Sequence, residues 1–241
     1  MELALDRLPG FRRRFRITPL EGAVLSEIED DFHSMSVTIR HDHVVATSVE
    51  AAMRRAPWTT CPGAVEQVSQ TFTGVRLNEF AERGEKRSNC THLHDLATLG
   101  AAHAHEVEPL VYDILVTDPV EGRRDAELRR NGVCVLRWML EGFKMLAPAE
   151  LVGMTLDKLN PWISRLAPRA QEEARVLRWG TMIANGRTIP LEQQSDATRM
   201  PVGNCYTFQP HRMRQAKRVG EIRDFSRGTA QPLDERRAVC P

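Results

Sequence analysis

The chain has 241 residues, 41% of them hydrophobic, which is enough for one large core or two small ones. Its 33 Lys and Arg offset 32 Asp and Glu, which excludes a broad basic field for nucleic acid and a charged binding tail. No apolar run reaches the roughly 18 residues of a membrane span, the N-terminus lacks the basic and apolar regions of a signal peptide, and five dispersed Cys point to a reducing, cytoplasmic setting rather than a disulfide framework.

Near the start, Arg12, Arg13, Arg14 and Arg16 interleave with Phe11 and Phe15. The pattern reads as a charged edge strand or a phosphate-binding arm. Residues 23–53 then read as a β-meander leading into a short helix. In SMSVTIR, Met35, Val37 and Ile39 alternate onto one face. His41, Asp42 and His43 make a tight turn. Pro62 suits the first turn of a helix whose apolar stripe is Val65, Val68 and Phe72 and whose stop is Gly74. Cys61 therefore sits at a helix N-terminus, where the dipole favours a thiolate.

VRLNEFAERGEKRSN reads as a helix or a loop. CTHLHDLATLGAAHAHEVE is a helix that Cys90 opens, with Asn89 or Thr91 as its cap. A domain boundary falls near 106–110, dividing the chain into 1–106 and 107–241. In the second part PLVYDILVTD is a strand. Asn131 and Gly132 join two alternating runs into a type I′ hairpin. Ala147-Pro148 opens a helical region broken at Pro161, and PRAQEEARVLRWGTMIANG is a long amphipathic helix. Beyond about residue 187 the chain turns irregular. The fold class is α+β: an antiparallel meander with helices, followed by a hairpin-and-helix half.

Seven of the eight His and two of the five Cys lie between residues 33 and 105. Zinc draws three or four ligands from Cys, His and carboxylate. His33 follows Glu29, Asp30 and Asp31 at a strand terminus, while Cys61 and Cys90 each begin a helix. These three are the candidate metal ligands, for zinc or another divalent ion. Asp31 and His92 are alternative fourth ligands, Asp31 because two residues of separation on a strand share one face with His33. The competing reading is Cys61 as a nucleophile with His33 or His92 as base. His41, His43, His94, His103 and His105 are set aside as turn or packing residues. No nucleotide-cofactor motif is present.

The irregular segment GNCYTFQPH gathers aromatic and polar groups, as pocket-lining loops do. Tyr206 is a candidate general acid there, and Gln209 and His211 are candidate substrate contacts, together with Trp138 on the hairpin. Arg212, Arg214 and Arg218 follow as candidate carboxylate holders or a solvated face.

FHSMSVTI, PWTTC, FTGVRL and NCTHLHDL together resemble a bacterial domain family of unknown function. Its marks are a His-x-Met (His33, Met35), a Pro and Cys before a helix (Pro57, Cys61) and a Cys-Thr-His-Leu helix opening (Cys90 to Leu93). Asn89 replaces the Gly common before the last Cys. The element order is also similar to the U-type iron–sulfur scaffolds. That likeness implies His33 at the scaffold's Asp position, Cys61 at its middle Cys and Cys90 at its last. The scaffold's first Cys has no counterpart, which turns the implication from cluster assembly to a mixed-ligand site with an open position. DAELRRNG, EEARVLR and CYTFQP resemble longer members of the family found in breakdown of lignin-derived aromatics. This implies a lyase, a decarboxylase acting on an aromatic carboxylic acid, with catalytic residues His92, Tyr206 and Asp31 at a site between the halves. A non-catalytic metal-binding scaffold or carrier is the alternative. The expected partner is a small-molecule substrate, with neither nucleic acid nor membrane; self-association stays open.

Overall fold

The computed structural model describes residues 5–190, 193, 195–219, 222–226 and 230–234. The fold is α+β. Its eight strands are β1 (Gly10–Leu20), β2 (Ala23–Asp30), β3 (Ser34–His41), β4 (Ala46–Arg55), β5 (Leu110–Thr117), β6 (Arg123–Arg130), β7 (Val133–Glu141) and β8 (Lys144–Ala147). They follow the sheet order β4-β3-β2-β1-β5-β6-β7-β8. The chain divides into two compact units, Phe15–Leu110 with Pro190–Arg223, and Met1–Arg14 with Val111–Ile189 and Asp224–Pro241. β1 passes from one to the other.

The first unit carries the meander. β2, β3 and β4 pair antiparallel, with Val37 opposite Ser26 on one side and Ala51 on the other. Met35, Val37 and Ile39 are buried, as their alternation requires. β4 stays extended through Arg55, where a helix was expected from its small residues: pairing with β3 overrides the helical preference of Ala51, Ala52 and Met53. A 3-10 turn (Cys61–Gly63) leads into α1 (Ala64–Phe72), which ends at Gly74 in a left-handed conformation (φ +82°). Two further 3-10 turns, Leu77–Glu82 and Gly84–Arg87, precede α2 (Thr91–Ala102). α2 lays Leu93, Leu96, Ala97 and Gly100 inward. Gly100 lies so close to the sheet that a Cβ there would meet Ser26 Oγ at 2.5 Å.

Residues 190–223 return to this unit, although they lie far along the sequence in the expected second half. Ala197, Met213 and Ala216 bury themselves with Trp58 and Cys61, and this apolar cluster draws the tail back.

In the second unit, β6 and β7 form the hairpin, and Asn131 and Gly132 both have positive φ (48° and 83°) as a type I′ turn demands. α3 (Asn160–Ile163) carries Pro161 in its first turn instead of breaking there, because a first-turn residue needs no N–H partner. α4 (Pro168–Ala184) packs Ala174, Val176 and Leu177 into this unit's core. No described helix is long and apolar enough to cross a membrane.

Candidate functional site

The site grows from the turn between β2 and β3. The Asp30 N–H donates to the His33 carbonyl at 2.9 Å, closing a four-residue turn. The Asp30 carboxylate, fully buried, accepts from the N–H groups of Phe32 (2.7 Å) and His33 (2.8 Å). It also lies 3.0 Å from His33 Nδ1. A carboxylate at that place assigns the proton to Nδ1, so the neutral ring carries its lone pair on Nε2. Arg55 secures the turn from β4. Its guanidinium donates to the carbonyls of Asp30 and His33 and pairs with Glu29 at 3.3 Å. Asp30 is thus the acid that orients His33. The period-two argument for Asp31 lapses because the strand ends at Asp30. Asp31 is buried in the turn, and its carbonyl accepts from the Arg223 N–H at 2.9 Å.

His92, in the first turn of α2, stacks on His33 with ring centroids 4.0 Å apart and planes tilted by 31°. Its Nδ1 lies 4.0 Å from the Cys90 sulfur. Cys90 is the N-cap residue of α2. No side chain caps the helix, since Asn89 turns its amide to Thr71 and the Glu85 carbonyl.

The Cys61 sulfur meets the Thr207 hydroxyl at 3.3 Å. Burial pushes the Cys61 thiol up, outweighing the Thr207 hydroxyl, the Trp58 backbone and the charge of Arg218. Burial likewise pushes Cys90 far up, with Cys61 adding to the rise, against the downward pull of the Leu93 and His92 N–H groups. Cys205 is raised mainly by burial and further by Cys61. Burial therefore works against the helix-start thiolates expected from sequence: at Cys90 desolvation exceeds what two N–H groups at the helix start return.

Residues 203–209 lie across this cluster. The Tyr206 N–H donates to the Asn89 carbonyl at 2.8 Å, and Gln209 Nε2 to the Arg87 carbonyl at 2.9 Å. Arg212 covers the Tyr206 ring at 3.8 Å. The phenol oxygen rests against Gly63, where a Cβ would come within 2.6 Å of it. His211 is exposed on the short α5 (Pro210–Met213), and Gln209 is spent holding the segment down. Trp138 belongs to the other unit, buried on β7. The structure therefore gathers His33, His92, Cys61, Cys90 and Tyr206 in one unit. Sequence reasoning missed two members, Asp30 as the partner of His33 and Cys205 as a third thiol.

Among the described residues, no three His, Cys, Asp or Glu side chains are grouped so as to hold a metal ion. A second histidine cluster lies at the other end of β3. His41, His43 and His105 have ring centroids 5.7 to 6.1 Å apart. The pairing of α2 with the meander brings the last of them to the turn that holds the first two.

Residues 18–105 match the model of a family described as protein of unknown function (DUF2889). The match covers the meander, α1 and α2, including His33, Cys61 and Cys90. No curated protein matches the chain.

Proposed function

We propose that the first unit is a small-molecule enzyme of the lyase class, with decarboxylation of an aromatic carboxylic acid as its reaction and the Asp30/His33 pair as its acid–base centre. The observation that carries this is the geometry at His33. A buried carboxylate fixes its Nδ1 proton, and a second imidazole lies 4.0 Å away. Such an arrangement fixes the tautomer and stabilises the imidazolium that forms when Nε2 takes a proton.

Loss of CO2 leaves the C–C bonding pair on the substrate carbon. That carbon must then receive one proton. Protonated His33, held by Asp30, is the donor, and solvent restores the proton. His92, stacked on His33, keeps the ring in place. Tyr206, whose hydroxyl rests on the turn beside Cys61, is a second donor. The role expected for Asp31 passes to Asp30.

A panel of aromatic carboxylic acids, assayed for CO2 release with the wild type and His33→Gln, tests the reading. Release that falls at least about a hundredfold in the variant supports it, the low end of what a positioned acid–base group contributes. Release that is unchanged in the variant, or absent from the folded wild type across the panel, overturns it.

A zinc-dependent version is the second reading, drawing on His33, Cys61 and Cys90. Its support is that Cys61, Cys90 and Cys205 share one unit with His33; the described side chains do not group three ligands as a metal site requires. Metal analysis of the purified protein distinguishes the two readings: one metal per chain supports the zinc version, and metal-free active protein excludes it.

A further inference from the structure

Arg218 is held in place, and no described acid pairs with it. Residues 217–219 run antiparallel to residues 57–59. Thr59 N–H donates to the Lys217 carbonyl at 3.0 Å and Val219 N–H to the Pro57 carbonyl at 2.9 Å, with Arg218 opposite Trp58. The Lys217 N–H adds a bond to the Thr59 hydroxyl at 3.1 Å. From this ribbon the guanidinium reaches over two aromatic rings, Phe32 at 5.4 Å and Trp58 at 5.5 Å. Aromatic faces attract and orient the cation but take none of its N–H donors in the plane of the fork.

No described carboxylate pairs with Arg218, and its Nε is sealed from solvent without an acceptor. Other arginines of this unit are engaged. Arg55 and Arg223 share Glu29, and Arg212 covers Tyr206. A half-buried guanidinium whose Nε–H is sealed from solvent without an acceptor is costly to keep unless something fills it. Its ring neighbour Phe32 precedes His33 in the turn, with the two rings 6.2 Å apart. Phe32 is thus a shared neighbour of Arg218 and of His33.

We propose that Arg218 seats a carboxylate of the substrate, held bidentately by its fork, and that this carboxylate is kept through the reaction. A single fork of charge +1 suits a planar carboxylate monoanion better than a phosphate, which gathers several donors and charges. The carboxylate is kept because CO2 leaves without charge. An ion pair on the departing group would stabilise the ground state more than the transition state and slow the reaction. The substrate class is accordingly an aromatic dicarboxylic acid, one group anchored at Arg218 and the other lost near His33. This deepens the acid–base reading and rests on it only for the second group.

Calorimetric titration with benzoate, isophthalate and inorganic phosphate tests the anchor without turnover. Wild-type protein should bind both aromatic acids and not phosphate. Arg218→Gln should weaken binding of both at least tenfold, and Arg218→Lys should restore part of it, with thermal unfolding of each variant confirming the fold. Equal binding by folded Arg218→Gln overturns the anchor, as does tight phosphate binding or no benzoate binding by the wild type. Arg218-dependent binding without CO2 release keeps the anchor and sinks the acid–base reading. CO2 release from benzoate that becomes faster in Arg218→Gln shows that the held group is the one that leaves, and overturns the dicarboxylate assignment.

Discussion

Replacing Asp30 by Asn is the most informative perturbation of the turn. The carboxylate accepts from two backbone N–H groups at 2.7 and 2.8 Å and faces His33 Nδ1 at 3.0 Å. Asn keeps one oxygen for the two N–H groups, so its NH2 must face the imidazole. An NH2 in place of Oδ2, which lies 3.2 Å from Nδ1, favours Nδ1 as acceptor and the ring proton on Nε2, removing the lone pair on which the proposed chemistry depends. A charge-assisted hydrogen bond is worth about 1 kcal/mol more than a neutral one, so three give about 3 kcal/mol. Relief of a fully buried charge returns part of this. The net loss is then about 1–3 kcal/mol, or about 2–12 °C in Tm for a chain of this size. Imidazole 15N NMR reads the tautomer, and thermal unfolding reads the stability. An Nε2–H tautomer at His33 of the wild type, or an Asp30→Asn variant unchanged in both measurements, refutes the reasoning.

Acid should destabilise the fold through buried histidines. Burial, aided by the charge of Lys86, lowers His94 to about 4, and burial with His105 and His43 lowers His41. A depressed folded pKa means the unfolded chain binds the proton first as pH falls. The stabilisation is complete above the unfolded value near 6.5 and is lost between there and about 4, about 3 kcal/mol for His94. Urea midpoints at pH 7 and 5 should differ by less in His94→Gln than in the wild type; an equal difference contradicts the assignment. Gly63→Ala should cost about 1–3 kcal/mol by driving a Cβ into the Tyr206 hydroxyl. Tyr206→Phe should recover part of that loss in a double-mutant cycle, and strict additivity would show that the contact is not made. Alkylation of the native protein should label exposed Cys134 well before buried Cys61 and Cys90, as peptide mass mapping would report. Cys240 lies outside the described residues.

The sequence was most legible where one periodicity governs one segment. Met35, Val37 and Ile39 identify the buried face of β3 by alternation, and Asn131 with Gly132 identify the hairpin because few pairs tolerate two positive φ values. The openings of α1 and α2 at Cys61 and Cys90 were legible for the same local reason. Long-range burial was not. Nothing local to residues 190–223 says that Met213 and Ala216 will pack on Trp58, and so Cys205 and Arg218 could not be placed beside the first half. The thiol state of Cys90 failed likewise: its position at a helix start is visible in sequence, but the desolvation that outweighs it is not. Asp30 was missed because EDDFH reads equally as the tail of a strand, and only the turn hydrogen bonds distinguish Asp30 from Asp31.

The central claim is that His33, oriented by Asp30, delivers a proton to a carbon that has lost CO2. Incubating wild-type protein with carboxyl-labelled aromatic dicarboxylic acids in D2O measures this directly. Labelled CO2 and a product carrying one deuterium at the vacated carbon are expected, both falling at least about a hundredfold in folded His33→Gln. Labelled CO2 and deuterated product at wild-type rates from His33→Gln would contradict it, as would their absence from the wild type.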